Sequence, residues 1–214
     1  MAALRTGIVS AMAILQQSCG ISHGGLVAQQ ADCFRVAENP RTIARIPMLI
    51  ILGGLPGTGK TAIAWELARQ LSAVYLRIDS IEQAIRDSRV VSKPLNDAGY
   101  RIGYSVAEDN LRLGHTVVAD SVNPLKVTRD AWTGMASRVR VSAVEIEVMC
   151  SDPTEHRRRV ETRATDISGL KLPTWEEVVS REYHAWDREH FVIDTAVHTV
   201  EQSVEMIRLM LRNR

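Results

Sequence analysis

Cysteine is scarce in this chain: its 214 residues include three, Cys19, Cys33 and Cys150. An odd, sparse set is poor material for a disulfide framework. Cys150 closes an apolar run and reads as a small buried hydrophobe. Excess charge is also lacking. Lys plus Arg number 26 and Asp plus Glu 25, a formal net charge of +1. Nothing global therefore pulls the chain toward nucleic acid or an anionic membrane, and any positive charge that matters is local. No apolar run approaches the ~20 residues of a membrane helix. The six histidines show no zinc-type spacing. His184 and His190 are neighbours in sequence, but no cysteine or clustered carboxylate completes a metal site with them. There is no internal repeat and no low-complexity tract.

What is present fits one α/β domain with a substantial core, since hydrophobic residues make up 45% of the chain. Met48–Gly53 is an apolar run closed by glycines, the pattern of a buried parallel strand. Lys60–Leu71 has helical spacing, with Ile63, Ala64, Leu67 and Leu71 on one face. Further strands are expected at Ala73–Ile78, His115–Ala119, Val141–Met149 and Phe191–Ile193. Helices are expected at Ser80–Arg86, Asp97–Leu113, Pro124–Val139, Pro153–Arg163, Thr174–Asp187 and Val200–Leu211. Alternating strands and helices predict a parallel sheet of five strands covered on both faces. In such sheets ligands bind beyond the carboxyl ends of the strands.

The strongest local signal is Gly54-Leu55-Pro56-Gly57-Thr58-Gly59-Lys60-Thr61, a full G-x-x-x-x-G-K-[ST] match between an apolar strand and a helix. Phosphate oxygens must be met by backbone N–H groups, and side chains would obstruct them. Glycines permit the curl, and the helix N-terminus aims its dipole and free amides at the phosphates. Lys60 would bridge the β- and γ-phosphates, and the Thr61 hydroxyl would hold Mg²⁺. The pattern identifies a triphosphate site but not the reaction.

Three further features have both a chemical and a plain reading. Asp120 ends the third strand, where it would hold Mg²⁺ or cap the turn into Pro124. Asp79 ends the second strand, where it would take a proton from an acceptor hydroxyl or cap the next helix. Arg157, Arg158, Arg159 and Arg163 come after the fourth strand. Arg159 and Arg163 share a helix face and suit the charge on a transferring phosphoryl group, whereas Arg157 and Arg158 read as solvated. Residues 153–173 would then form a lid that closes over ATP and excludes water. Trp132, Trp175 and Trp186 read as packing residues.

In order and spacing, four segments resemble the ATP-binding kinases of the zeta-toxin, chloramphenicol-phosphotransferase and polynucleotide-kinase type, within the adenylate-kinase-like P-loop class. They are Gly54–Thr61; Ile78-Asp79-Ser80-Ile81; Asp120-Ser121-Val122-Asn123-Pro124 with Arg129; and Arg159-Val160-Glu161-Thr162-Arg163. The resemblance runs from about Met48 to the C-terminus. It implies a P-loop NTPase three-layer α/β sandwich with a small helical lid, using ATP and Mg²⁺. It favours Asp79 as general base, places Asp120, Asn123 and Arg129 at the phosphate and acceptor region, makes Arg159 and Arg163 the lid arginines, and brings Asp194-Thr195 near the adenine. It names no acceptor beyond a small-molecule or nucleotide-like hydroxyl.

Residues 1–47 stand outside the pattern. Arg5 followed by Gly7–Leu15 has the basic start and short apolar core of a signal peptide, but the apolar stretch is weak and the domain behind it is expected to use cytoplasmic ATP. The segment is expected to be an extension or a start-site artefact, and in the second case Met48 is the natural start. The expected location is cytoplasmic, with no membrane partner. The near-neutral charge and lack of a basic, aromatic-interleaved tract weigh against long nucleic acid as partner. The competing expectation is a P-loop ATPase or nucleotide-dependent switch. Absence of an Asn-Lys-x-Asp sequence argues against GTP.

Overall fold

A computed structural model describes residues 46–89 and 95–213. The chain divides into units Met1–Ala44 and Arg45–Arg214, and the description concerns the second. The expectations for residues 1–45 lie outside the described residues.

Five strands form one sheet: β1 (Met48–Gly53), β2 (Val74–Arg77), β3 (Val117–Asp120), β4 (Ser142–Met149) and β5 (Phe191–Asp194). Every pairing is parallel, in the order β2-β3-β1-β4-β5. The chain thus winds out to one edge, returns through the centre and continues to the other. The carboxyl ends of β1 and β3 lie side by side, with Leu52 opposite Asp120. That adjacency brings the glycine loop after β1 to the acid that ends β3.

Strand alternation sorts the core into two layers. Ile50, Leu52, Val118, Val144 and Ile146 face α1 (Lys60–Leu71) and the closing helix (Val200–Arg212), where Ile63, Leu67, Val204 and Ile207 meet them. Leu49, Ile51, Val117 and Ala119 face the opposite way, onto Ala107 and Leu111 of one helix and Trp132 and Met135 of another. With α2 (Ile78–Asp87), those two become α3 (Ala98–Arg112) and α4 (Lys126–Arg138). The three-layer α/β sandwich is therefore as expected.

Residues 174–187 depart from expectation. The helix α6 covers only Trp175–Val179, after α5 (Pro153–Thr162), and α7 is then the closing helix. Thr174 and Glu177 form a capping box that starts α6. Beyond α6 the backbone is claimed by tertiary bonds. Arg129 donates to the carbonyls of His184 and Ala185 at 3.2 and 3.0 Å, and the His184 amide donates to Pro124 O at 2.8 Å. Backbone groups that a longer helix would pair internally are thus paired elsewhere. Helical spacing in this stretch reflects anchoring side chains, Tyr183 and Trp186, rather than a helix face. α4 also starts two residues late, at Lys126, because Asn123 turns the chain with φ 47°.

Candidate active site

Backbone sterics shape the loop Gly54–Thr61. Gly54 has φ 134°, and a Cβ there would run into the Val148 carbonyl oxygen. At Gly57 (φ 87°) a Cβ would lie 2.5 Å from Val160 Cγ2. Only glycine fits between this loop and its neighbours. α5 forms the wall behind it: His156 Nε2 pairs with Pro56 O at 2.9 Å. Lys60, at the start of α1, donates from Nζ to Leu55 O at 2.9 Å. Burial holds its pKa below that of an ordinary lysine, against the pull of Asp120 and Asp79.

Asp120 is buried beside Lys60. Tyr75 donates its hydroxyl to Asp120 Oδ2 at 2.9 Å, and Arg77 Nε stands at 4.0 Å. Burial raises the Asp120 pKa, while the Lys60 charge and the Thr61 and Tyr75 hydroxyls lower it. No cap of the turn into Pro124 forms through this side chain. A buried carboxylate facing a threonine hydroxyl, at the mouth of the glycine loop, fits Mg²⁺ held between protein and phosphate oxygens. Among the described residues no cluster of three or more His, Cys, Asp or Glu could cage a metal alone. Magnesium usually draws its remaining ligands from substrate phosphates and water.

Asp79 falls in the first turn of α2 rather than at its cap, and that helix has no side-chain cap. Its carboxylate borders a cavity of about 1310 Å³, together with Lys60, Thr61, Asp120, Arg159 and Arg163. Arg163 Nε is buried without a hydrogen-bond partner. Burial lowers the Arg163 pKa, and Asp79 is the charge that opposes the shift. The covering segment, residues 163–173, meets the end of β2 through Arg77, which donates to both oxygens of Asp166 at 2.8 and 2.9 Å. Single-ligand pockets run to about 300–1,000 Å³, so this cleft has room for a nucleotide and part of a second ligand.

Four expected site residues are placed differently. The Arg159 guanidinium lines the cleft but is committed. It donates to Glu155 at 2.7 Å, to Thr195 Oγ1 at 2.8 Å and to Thr195 O at 3.0 Å. Thr195 in turn donates to Thr58 O at 2.8 Å, with Met149 O at 3.1 Å as the alternative acceptor. Its side chain braces the phosphate loop from behind and is absent from the cleft wall. Asn123 and Arg129 are fully buried. Asn123 donates to Leu52 O at 3.1 Å and accepts from Trp132 Nε1 at 3.1 Å. Arg129 is taken up by backbone carbonyls and sits over the Trp186 ring, 4.6 Å from its centroid. Neither side chain lines the cleft, which corrects the expectation that they contact the acceptor. The residues that sequence reasoning missed are Tyr75, Arg77 and Arg181. The first two sit on β2, where strand-order adjacency to β3 gives them Asp120 as neighbour, and no local motif marks that.

The model of the AAA domain family matches residues 49–182. The chain belongs to that family. The matched span holds the phosphate loop, both carboxylates and the arginine-rich α5. No curated protein matches the chain. Among solved structures it is similar to the Mycobacterium tuberculosis APS kinase CysC in complex with AMPPNP and APS, with TM-score 0.59, 18% identity, and 77% of this chain and 98% of that one covered. It is similar to a gluconokinase from Sinorhizobium meliloti 1021, with TM-score 0.54, 14% identity, and coverage of 79% and 96%. It is also similar to Chaetomium thermophilum Kti12 in complex with ADP-AlF3, with TM-score 0.56, 23% identity, and coverage of 75% and 97%. These likenesses establish a shared P-loop kinase-type fold. No helix among the described residues is long and apolar enough to cross a membrane.

Proposed function

We propose that this family member is an ATP-dependent kinase that moves the γ-phosphate to a hydroxyl of a small-molecule or nucleotide-like acceptor. The observation that carries the reading is Asp79, a carboxylate free of any capping role on the wall of the same cleft as Lys60 and Arg163. A carboxylate here could take a proton from water or from an acceptor hydroxyl, and the second cavity beside it favours an acceptor. That cavity, of about 400 Å³, lies beyond Asp79 and is bordered by Ile78, Tyr100, Pro124 and Leu125. It is the acceptor site in this reading. Two of the similar structures, the APS kinase and the gluconokinase, carry kinase names, which supports it.

The loop amides and Lys60 would hold the β- and γ-phosphates, and Thr61 and Asp120 would hold Mg²⁺, with Tyr75 orienting the carboxylate. Bound Mg²⁺ supplies charge neutralisation at the phosphates. Asp79 accepts the proton of the acceptor hydroxyl. The acceptor oxygen forms a bond to the γ-phosphorus as the bond to the bridging oxygen of ADP breaks, and that oxygen keeps the electron pair. Arg163 lies where charge spreads over the transferring group. Arg159 acts through Thr195 on the loop. Closure belongs to residues 163–173, because α5 is locked to the loop through His156 and Val160. The domain spans residues 48–214, and the protein works where ATP is plentiful, in the cytoplasm.

The deciding experiment incubates the full chain with γ-labelled ATP and a panel of nucleosides, sugars, aminoglycoside-like and phenicol-like compounds, and 5′-hydroxyl oligonucleotides. A labelled organic product names the acceptor class, and Asp79→Asn should abolish it while leaving Mg-ATP binding nearly intact. Labelled free phosphate alone would favour the ATPase reading instead.

A further inference from the structure

We propose that Arg181 contacts the phosphoryl group in transit between the donor cleft and the acceptor cavity, and that Arg129 and Trp186 are the positioning residues that hold it there. The inference rests on the kinase reading above.

The two cavities share four bordering residues: Asp79, Glu82, Val122 and Arg181. Arg181 is the one cation among them. A group passing from one cavity to the other must pass these side chains. The other arginines of the donor-cleft wall have different fates. Arg77 is paired with Asp166, and Arg159 with Glu155 and Thr195. Arg86 is paired with Glu82 at 3.0 Å. Arg163 borders the donor cleft alone. Arg181 is exposed, and among the described residues no carboxylate stands within ion-pair distance of it, although its charge acts on Glu82 beside it. Its charge nevertheless reaches the phosphate end of the cleft, since it is among the charges that lower the Lys60 pKa. A guanidinium fork not held in a close carboxylate pair, at the mouth between two cavities, suits the equatorial oxygens of a phosphoryl group.

Its placement is fixed on both sides. Before it, Val178 is fully buried in α6, and the Arg181 amide bonds to Val178 O. After it, Tyr183 donates to Glu147 Oε1 at 3.0 Å, and Trp186 Nε1 donates to Tyr183 Oη at 3.1 Å. Trp186 stacks on His190 at 4.6 Å and lies against Gly53, where a Cβ would come within 2.8 Å of its ring. Arg129 supports that ring and ties down the carbonyls of residues 184 and 185. Part-buried polar bonds thus tie down a stretch without regular structure, and the residue it brings to the cleft is Arg181.

The test compares two ligands by calorimetry on the full chain: Mg-ADP, and Mg-ADP with aluminium fluoride, which mimics the transferring phosphoryl group. The parent should bind the fluoride complex more tightly. Arg181→Ala should leave Mg-ADP binding within about twofold and weaken the fluoride complex on the order of 10²-fold. Arg181→Lys should recover part of that loss, as charge without the fork. Trp186→Phe keeps an aromatic body but removes the bond to Tyr183, and should lose part of the fluoride preference. A merely structural role for Trp186 would lower the unfolding midpoint and leave the preference unchanged, which overturns the positioning claim. Arg181→Ala that weakens both ligands equally, or neither, overturns the phosphoryl contact while sparing the kinase reading. A parent that does not bind Mg-ADP overturns both.

Discussion

Tyr75 and Asp120 meet across the join of β2 and β3, hydroxyl to carboxylate, at 2.9 Å. The register pairs Leu76 with Ala119 and Arg77 with Asp120, so β2 lends its side chains to the acid at the end of β3. A donor behind a metal-binding carboxylate orients it and favours its charged form.

Tyr75→Phe removes that donor and little else. Partner loss behind a ligand typically costs roughly 10- to 100-fold in metal affinity. The expected outcome is a Mg²⁺ requirement for ATP binding shifted upward by about that factor, with metal-free nucleotide affinity unchanged. A Mg²⁺ titration monitored by calorimetry checks it. An unchanged Mg²⁺ midpoint would remove Asp120 from the metal site.

Gly54→Ala and Gly57→Ala should differ sharply. The first drives a methyl into the backbone oxygen of Val148, which cannot move without disturbing β4. The second meets the end of the Val160 side chain, which has a rotamer to give. Both carry the strain of positive φ. Gly54→Ala is expected to cost more than about 4 kcal/mol, in the exceptional range for one substitution, and Gly57→Ala about 1–3 kcal/mol. Urea denaturation of the two variants measures the order, and the reverse order would refute the cause given.

Asn123→Ala should behave as a stability variant. It strands the Leu52 carbonyl and the Trp132 indole N–H, each costing about 1–3 kcal/mol when left buried and unpaired. It also puts alanine at φ 47°, which asparagine tolerates better. The unfolding free energy should drop by several kcal/mol while the surviving folded fraction binds Mg-ATP normally. Large loss of acceptor KM with an unchanged unfolding midpoint would instead return Asn123 to the substrate site.

Glu155 gives a pH test. Hydrogen bonds from Arg158 and Arg159 hold its pKa down at about 2, below its ordinary 4.5. A depressed carboxyl pKa adds stability that is fully present above the ordinary value and is lost as pH falls through the folded one. The Arg159–Thr195–Thr58 chain should therefore keep its acidic anchor until well below pH 4.5. Glu155→Gln should lower the melting temperature at pH 7, and the difference from the parent should shrink between pH 4.5 and 2. Because the pair is only partly buried, 1 M salt should also shrink it. A difference that grows on acidification would contradict the pairing.

Much of this architecture was legible in the sequence because the signals were local. Apolar runs of β1 and β4, the Lys60–Leu71 stripe and the glycine pattern each carry their own period or spacing. Of the expected carboxylates Asp120 does close β3, whereas Asp79 falls in the first turn of α2; both border the cleft, and their roles belong to the proposal. Asn123 and Arg129 misled because a polar residue after a strand looks the same whether it faces a ligand or the backbone. Their true partners, Leu52, Trp132 and the carbonyls of residues 184 and 185, are set by packing of distant segments. Tyr75, Arg77 and Arg181 went unread for the same reason: each owes its position to strand order or to an irregular anchored stretch, neither of which has a period.

The Thr195 hydroxyl on Thr58 O spans 137 positions of chain. On a ribosome, the glycine loop emerges long before the residue that braces it. The brace on the phosphate loop is therefore complete only once β5 and the residue after it have docked on the sheet edge.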